Sequence, residues 1–296
     1  MYSTNCCPTL RSCPQRLFLV WLLLLHKPLT HWAIMHFSMS VIVFAAIFVV
    51  FGNDISAETT PTETVIVELP ESTNSIGMKF KLLPAGTFTM GEGDNAHAVT
   101  LTKPFRMGIH EVTQAQYRQV MGGNPSKSNG ANNPVELVSW DDAIEFCRRL
   151  SDLPAEKAVG QVYHLPTEAQ WEYACRAGTT TKYSFGDDHS TLGNYAWARE
   201  NSGEKTHPVS SKQPNPWGLY DMHGNVWEWC QDLHGDYPSG SVTDPTGARF
   251  GSSRVLRGGS WAYSAVHCRS ANRGGLLTSN RSSSLGFRVC LSSSGK

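Results

Sequence analysis

The chain has 296 residues, with 25 Lys and Arg against 25 Asp and Glu, and this zero net charge gives no electrostatic reason to expect a nucleic-acid partner. Charged residues make up only 17%, while glycine reaches 26 and tryptophan nine. That balance points to a loop-rich α+β domain whose core is stapled by aromatic side chains, rather than to a helical bundle or a parallel α/β sheet. No HExxH occurs among the eleven histidines and no CxxC among Cys147, Cys175, Cys230, Cys268 and Cys290, which removes the zinc-protease and zinc-ribbon readings.

Two apolar runs, Leu17 to Leu25 and Val41 to Phe51, open the chain. The first is too short to span a bilayer. The second follows Met35 and leads to Ser56 and Ala57, the pattern of a secretory signal, with translation starting at Met35 and residues 1–34 an upstream extension. The rival is a retained anchor, since Trp32 to Phe51 carries no Asp, Glu, Lys or Arg and is long enough to cross a membrane. On either reading, residues 1–57 engage a membrane during export and the remainder reaches an oxidising periplasmic or extracellular space. Five cysteines remain there, an odd number, so one lacks an internal partner.

Residues 58–74, rich in Thr, Glu and Pro, read as a linker in which Val65 to Leu69 can pair as an edge strand. The folded domain is expected over 75–293. MKFKLL and GTFTMG alternate apolar and polar residues, and Pro84-Ala85-Gly86 between them reads as a hairpin turn, with His97 to Thr102 and Phe105 to Ile109 continuing the sheet. Thr113 caps a helix that Gly122-Gly123-Asn124-Pro125 stops, and Ser139 caps a second carrying Trp140, Ala143, Ile144, Cys147 and Leu150 at helical spacing. Thr167 caps a third that runs up to Gly178. Glu168 and Glu172, at i, i+4 on it, read as capping or surface groups, with an acid/base or metal pair as the rival. From Thr179 to Trp217 no period persists, and a loop of that length is usually functional or held by ions. Asp187, Asn194 and Asn201 are its candidate oxygen ligands.

The chain is organised around GLYDMHGNVWEW, Gly218 to Trp229. Alternation puts Trp227 and Trp229 on one strand face and Val226, Glu228 and Cys230 on the other. Asp221 and Glu228, with glycine-turn carbonyls between them, admit two readings: Asp221 satisfying turn amides beside a core strand, or an all-oxygen set for a hard cation. Arg254 to Arg257 then enters the turn at Gly258-Gly259, and the stretches Cys268 to Arg273 and Gly286 to Cys290 read as closing strands. On such a strand His267 points to the face opposite Cys268.

GMKFKLLPAGTFTMG, HEVTQAQYRQVM, PVELVSWDDAIEFC, YHLPTEAQWEYACRAG, PNPWGLYDMHGNVWEW, RVLRGGSW and LGFRV, in that order, resemble the formylglycine-generating enzyme, or sulfatase-modifying factor, family from about Ile76 to Cys290. The resemblance implies a single C-type-lectin-like domain, α+β with little regular structure and stabilised by calcium. Its catalysts oxidise a sulfatase cysteine to formylglycine, using oxygen and a copper ion held by two cysteines shortly after the GGS turn. Ser260 matches the serine of that turn, Trp227 the pocket tryptophan and Arg273 a pocket arginine, while Tyr263 stands at the first cysteine position and Cys268 is the only thiol in the segment. Cu(I) selects thiolates. The resemblance therefore favours a calcium-stabilised, non-catalytic or diverged member that binds a protein or glycan partner, a sulfatase among the candidates. That partner would meet the Thr179 to Trp217 loops and a cleft around Trp227, Trp261 and Tyr263; an active copper- and oxygen-dependent oxidase is the alternative. The matched calcium ligands are Asp221, the carbonyls near Gly224 and Val226, and Glu228, with Asn194 and the Tyr195 carbonyl forming a second set. The matched disulfides are Cys147 with Cys290 and Cys175 with Cys268, Cys230 being the rival partner of Cys268. The protein is read as a monomer.

Overall fold

The computed structural model describes residues 67–293, so the signal or anchor and residues 58–66 of the linker lie outside it. The first half of the domain comprises strands β1 (Glu71–Thr73), β2 (Lys79–Leu83), β3 (Gly86–Met90), β4 (His97–Leu101) and β5 (Phe105–Gly108), then helices α1 (Gln114–Met121), α2 (Trp140–Asp152) and α3 (Pro154–Ala158). Strand β6 (Gln161–His164) and helix α4 (Glu168–Arg176) precede the long loop. Beyond it come β7 (Trp227–Leu233), β8 (Val242–Thr243), β9 (Ser253–Arg257), β10 (Arg273–Leu277), β11 (Leu285–Gly286) and β12 (Cys290–Ser293). They form a five-stranded sheet in the order β1-β2-β5-β12-β6, a four-stranded sheet β10-β9-β7-β11 and a small sheet β3-β4-β8.

Each of the three expected helices begins with a capping box, in which the hydroxyl of Thr113, Ser139 or Thr167 accepts the amide three residues on and that residue's side chain returns to the cap's own amide. Ala177, left-handed at φ 48°, ends α4. The short α3 went unread, since five residues carry no measurable period; Pro154 at its first turn starts it. Val67 donates its amide to Pro216, and β1 extends the sheet inside the stretch read as a linker.

The expected hairpin at Pro84-Ala85-Gly86 does not form. The chain changes sheets there: β2 pairs with β5, while β3 turns away to pair with β4. Gly86 makes the exit possible, because a Cβ on it would meet the Tyr173 hydroxyl of α4 at 2.4 Å. A similar change of sheet replaces the strand expected over Gly286 to Cys290. Leu285 and Gly286 pair in parallel with β7, Cys290 and Leu291 pair with β5 and β6, and Phe287-Arg288-Val289 crosses between the two sheets. The Cys268 to Arg273 strand is also shorter than expected: Ala265–Cys268 is a 3-10 turn and β10 begins only at Arg273. His267 therefore follows no strand alternation, and its ring stands edge-on to Tyr263 at 5.3 Å.

Both faces of β7 are buried. Trp227 and Trp229 pack with Phe146, Phe287 and Leu150 on one side, and Cys230 packs with Trp171 of α4 on the other. The indole N–H of Trp229 donates to the Val138 carbonyl at 3.1 Å and that of Trp140 to the Cys230 carbonyl at 2.9 Å, so these aromatic groups enter the core with their polar atoms satisfied.

Candidate functional site

The turn before β7 holds two residues in the left-handed region, Asp221 at φ 58° and Asn225 at φ 60°. Gly224 between them has no room for a side chain, since a Cβ would lie 2.4 Å from the Trp197 carbonyl. This winding turns the Asp221 carboxylate inward. Its Oδ2 accepts the Ser210 amide at 2.7 Å, while Oδ1 is buried without a partner. Glu111 joins it from the segment between β5 and α1, fully buried, taking the Val226 amide on one oxygen and the Asn225 side-chain amide on the other. Burial drives the Glu111 carboxyl well above the ordinary carboxylate range, and the charges of Asp221 and Glu228 add to this. Burial likewise pushes Asp221 up to about 6.

Glu228, the other acidic candidate, has its own partners. Both its oxygens face the buried Arg288, at 2.6 and 2.7 Å, and Trp171 donates its indole N–H at 2.8 Å. Glu111 escaped the sequence reading; the signal was an acidic residue enclosed by Ile109, His110 and Val112 just ahead of the Thr113 cap. Asn194 and Tyr195 close a separate 3-10 turn of the long loop, where Asn194 is exposed and the Tyr195 ring stacks on Phe185 at 4.3 Å. Among the described residues, no three His, Cys, Asp or Glu side chains converge as a metal-ligating group, so any cation here would draw on main-chain carbonyls as well.

The second constellation follows the glycine turn, where Gly258 and Gly259 adopt φ 95° and 71°. Trp227, Ser260 and Tyr263 come together: Tyr263 donates its amide to the Ser260 carbonyl and stands edge-on to Trp227 at 5.7 Å. Tyr263 is 38% exposed and Trp227 8%, so the phenol forms the outer wall. Cys268 lies behind them, fully buried beside Tyr183, Leu192 and Ala265, and burial pushes its thiol up to about 12. Arg273 does not join this group. Its guanidinium grips Glu168 with two bonds of 2.7 Å and donates a third to the Gly235 carbonyl.

The disulfides implied by the resemblance are absent: all five described cysteines are free and buried. The matched partners are nonetheless close enough to couple, because a thiolate at Cys147 would raise Cys290 and one at Cys175 would raise Cys268. In place of a bond to Cys268, the Cys175 thiol lies 3.6 Å from the Met222 carbonyl and below 4 Å from the His223 ring. His223 accepts the Ser184 amide on Nε2 and so donates from Nδ1 to the Cys268 carbonyl at 2.8 Å; burial lowers it to about 4, which keeps it neutral.

A family model described as the sulfatase-modifying factor enzyme 1-like domain matches residues 68–293. The chain belongs to this family. A formylglycine-generating enzyme of Streptomyces coelicolor is 34% identical over 194 residues, covering 60% of the chain and 58% of that protein, so the chain spans little more than half of this relative's length. Among solved structures, Treponema denticola variable protein 1 superposes with a TM-score of 0.67 at 34% identity, covering 75% of the chain and 98% of its own. PvdO from Pseudomonas aeruginosa gives 0.66 at 27% identity, covering 75% and 97%. The α+β fold is thus of the formylglycine-generating-enzyme, C-type-lectin-like kind expected from the motifs.

Proposed function

We propose that this chain is a diverged, calcium-stabilised member of its family that binds a protein partner instead of oxidising a cysteine. One observation carries the reading: Tyr263 occupies the outer wall of the pocket while the thiol of Cys268 is buried and held protonated. Cu(I) needs accessible thiolates, and a phenol with one buried thiol does not fit it.

Binding fits the exposed surface better. Tyr263 and His267 form an aromatic rim over Trp227, with the half-buried Trp261 two residues before Tyr263 in the chain, and aromatic residues are enriched where proteins meet. Beside it a cavity of about 370 Å³ opens among His189, Leu192, Ala198, Glu200 and Ala265, which are residues of the long loop and the 3-10 turn. Relatives named formylglycine-generating enzymes support a protein partner, and a sulfatase is the first candidate.

Calcium is supported by the chemistry of the Asp221 turn. Two buried carboxylates, one oxygen of which has no partner, suit a hard divalent ion. Asp221 and Glu111 would hold it with the main-chain carbonyls of Gly224 and Val226, and the ion would supply positive charge that fastens the loop to β7. The export reading is proposed on the same footing, from the apolar segment ahead of residue 58.

The deciding experiment incubates the full chain with a sulfatase-motif peptide, Cu(I), oxygen and a thiol reductant, and reads the peptide by mass beside a working formylglycine-generating enzyme. No conversion is expected. Conversion at a catalytic rate, abolished by Cys268→Ser, would overturn the binding reading.

A further inference from the structure

On the far side of α4 lies a cleft that the family's pocket does not include. Its volume is about 280 Å³, sized for a side chain or a small amine rather than for a drug-sized ligand. Met90, Ala169, Pro238, Pro245 and Ala248 give it apolar walls. At its base is Asp232 of β7, 3% exposed. Capping accounts for one of this residue's oxygens: Oδ2 accepts the Glu168 amide at the start of α4, 2.9 Å away. Oδ1 takes no part in that bond and lies beside Gly247 of the cleft lining, 3.1 Å from where a Cβ on that glycine would sit.

The neighbouring charges decide what that oxygen awaits. Glu168 is gripped by Arg273 on two bonds, and Arg257, which it shares with Glu172, approaches it at 3.0 Å, so both guanidinium groups are already committed to carboxylates. Tyr237 donates to Glu168 and is covered by the Arg273 guanidinium at 4.2 Å and the His97 ring at 4.8 Å. What remains unpaired on the lining is acidic on balance: Asp232 at the base and Asp236 at the mouth, against the exposed Arg249. An anion would meet Asp232 with only Arg249 to hold it. A neutral alcohol would bring Oδ1 a hydrogen bond but no charge, and Arg257 and Arg273, which act on Asp232 from the side of Glu168, hold no hydrogen bond to it.

We propose that this cleft binds a primary alkylammonium group, which donates to the free Oδ1 of Asp232 while its methylenes lie along Met90, Pro245 and Ala248. A small free amine and the lysine side chain of a protein partner present the same chemistry. Burial, with the charge of Glu168 opposed by a backbone hydrogen bond and by Arg257 and Arg273, raises the Asp232 carboxyl to about 7. Amine binding therefore requires its ionisation and releases a proton. Apparent affinity should rise about tenfold per pH unit from about pH 5 and level off above about pH 7.

The test uses the full chain labelled with ¹³C and follows the Asp232 carboxyl resonance as n-butylammonium is added. A saturable shift with that pH profile, lost in Asp232→Asn, is expected; the amide oxygen of Asn still accepts the Glu168 N–H, and thermal unfolding checks the fold. Should that variant unfold, Ala248→Trp, which fills the cleft without touching Asp232, should abolish the shift instead. Nα-acetyl-lysine methylamide separates the sources: binding by it as well points to a partner's lysine, binding by butylammonium alone to a free amine. No saturable shift, equal binding of n-butanol, a flat pH profile, or a response unchanged in the folded variant would each sink the proposal.

Discussion

Two buried carboxylate centres lie along β7, and they differ in charge balance. Near the end of the strand Glu168, Glu172 and Asp232 face Arg176, Arg257 and Arg273, three acids against three guanidinium groups. Near its start Glu111, Asp221 and Glu228 face Arg288 alone among the described residues that act on them. The first centre is balanced in charge by its own side chains, and a hydrogen bond to Asp232 Oδ1 is left open. The second, with all three acids ionised, would lack two positive charges, the charge of one divalent ion. Taking carboxylates out of water is tolerated only when something positive accompanies them, and the difference is what the proposed calcium would make good.

The largest expected effect comes from breaking the balanced centre. Arg257→Met leaves Glu168 and Glu172 buried without their shared partner, and the cost should be about 3–5 kcal/mol in urea unfolding. A loss under about 1 kcal/mol would mean that charge balance is not what holds α4 to β9. The second centre should respond to calcium. With free ion at about 100 times Kd the protein gains about 2.7 kcal/mol, lost on chelation, and Asp221→Asn should abolish that response while Asp232→Asn leaves it intact.

A smaller effect separates Asp232 from its neighbours. Its folded-state pKa of about 7 lies above the unfolded value, so its contribution is fully present below about pH 4 and is lost as pH rises through about 7, at up to ~1.4 kcal/mol per unit. Asp232→Asn should flatten that part of the stability profile; an unchanged slope would assign it elsewhere. Tyr263→Ala should cost the least, about 1 kcal/mol or below, because the ring is more than a third exposed and makes edge contacts only. A larger loss would make Tyr263 a core residue and weaken its role as a binding wall.

The starts of α1, α2 and α4 were legible in the sequence, because a capping box is local: Thr113, Ser139 and Thr167 each announce themselves within four residues, whereas α3 has no such box. Strand pairing was not. The alternation before Pro84 and after Gly86 is correct for two strands, yet nothing within it says that they belong to different sheets, a choice made by Tyr173 some ninety residues on. The Asp221 turn was visible through its glycine and its spacing to Glu228. Glu111 was not, because its approach to Asn225 and Val226 is a tertiary contact across more than a hundred residues. A separation of 60 residues hid Arg288, which reads as one more basic residue until the crossing of Phe287-Arg288-Val289 brings it onto Glu228.

That crossing also sets an order of assembly. Strand β12 sits between β5 and β6, so the five-stranded sheet lacks an inner strand until nearly the whole chain is present. During synthesis, β5 and β6 must wait with open edges for a segment more than a hundred residues downstream, and one short docking event then completes both sheets and neutralises Glu228. Folding of this domain is for that reason gated by its final ten described residues, and a chain interrupted before Leu285 would present unpaired strand edges to its neighbours instead of a finished surface.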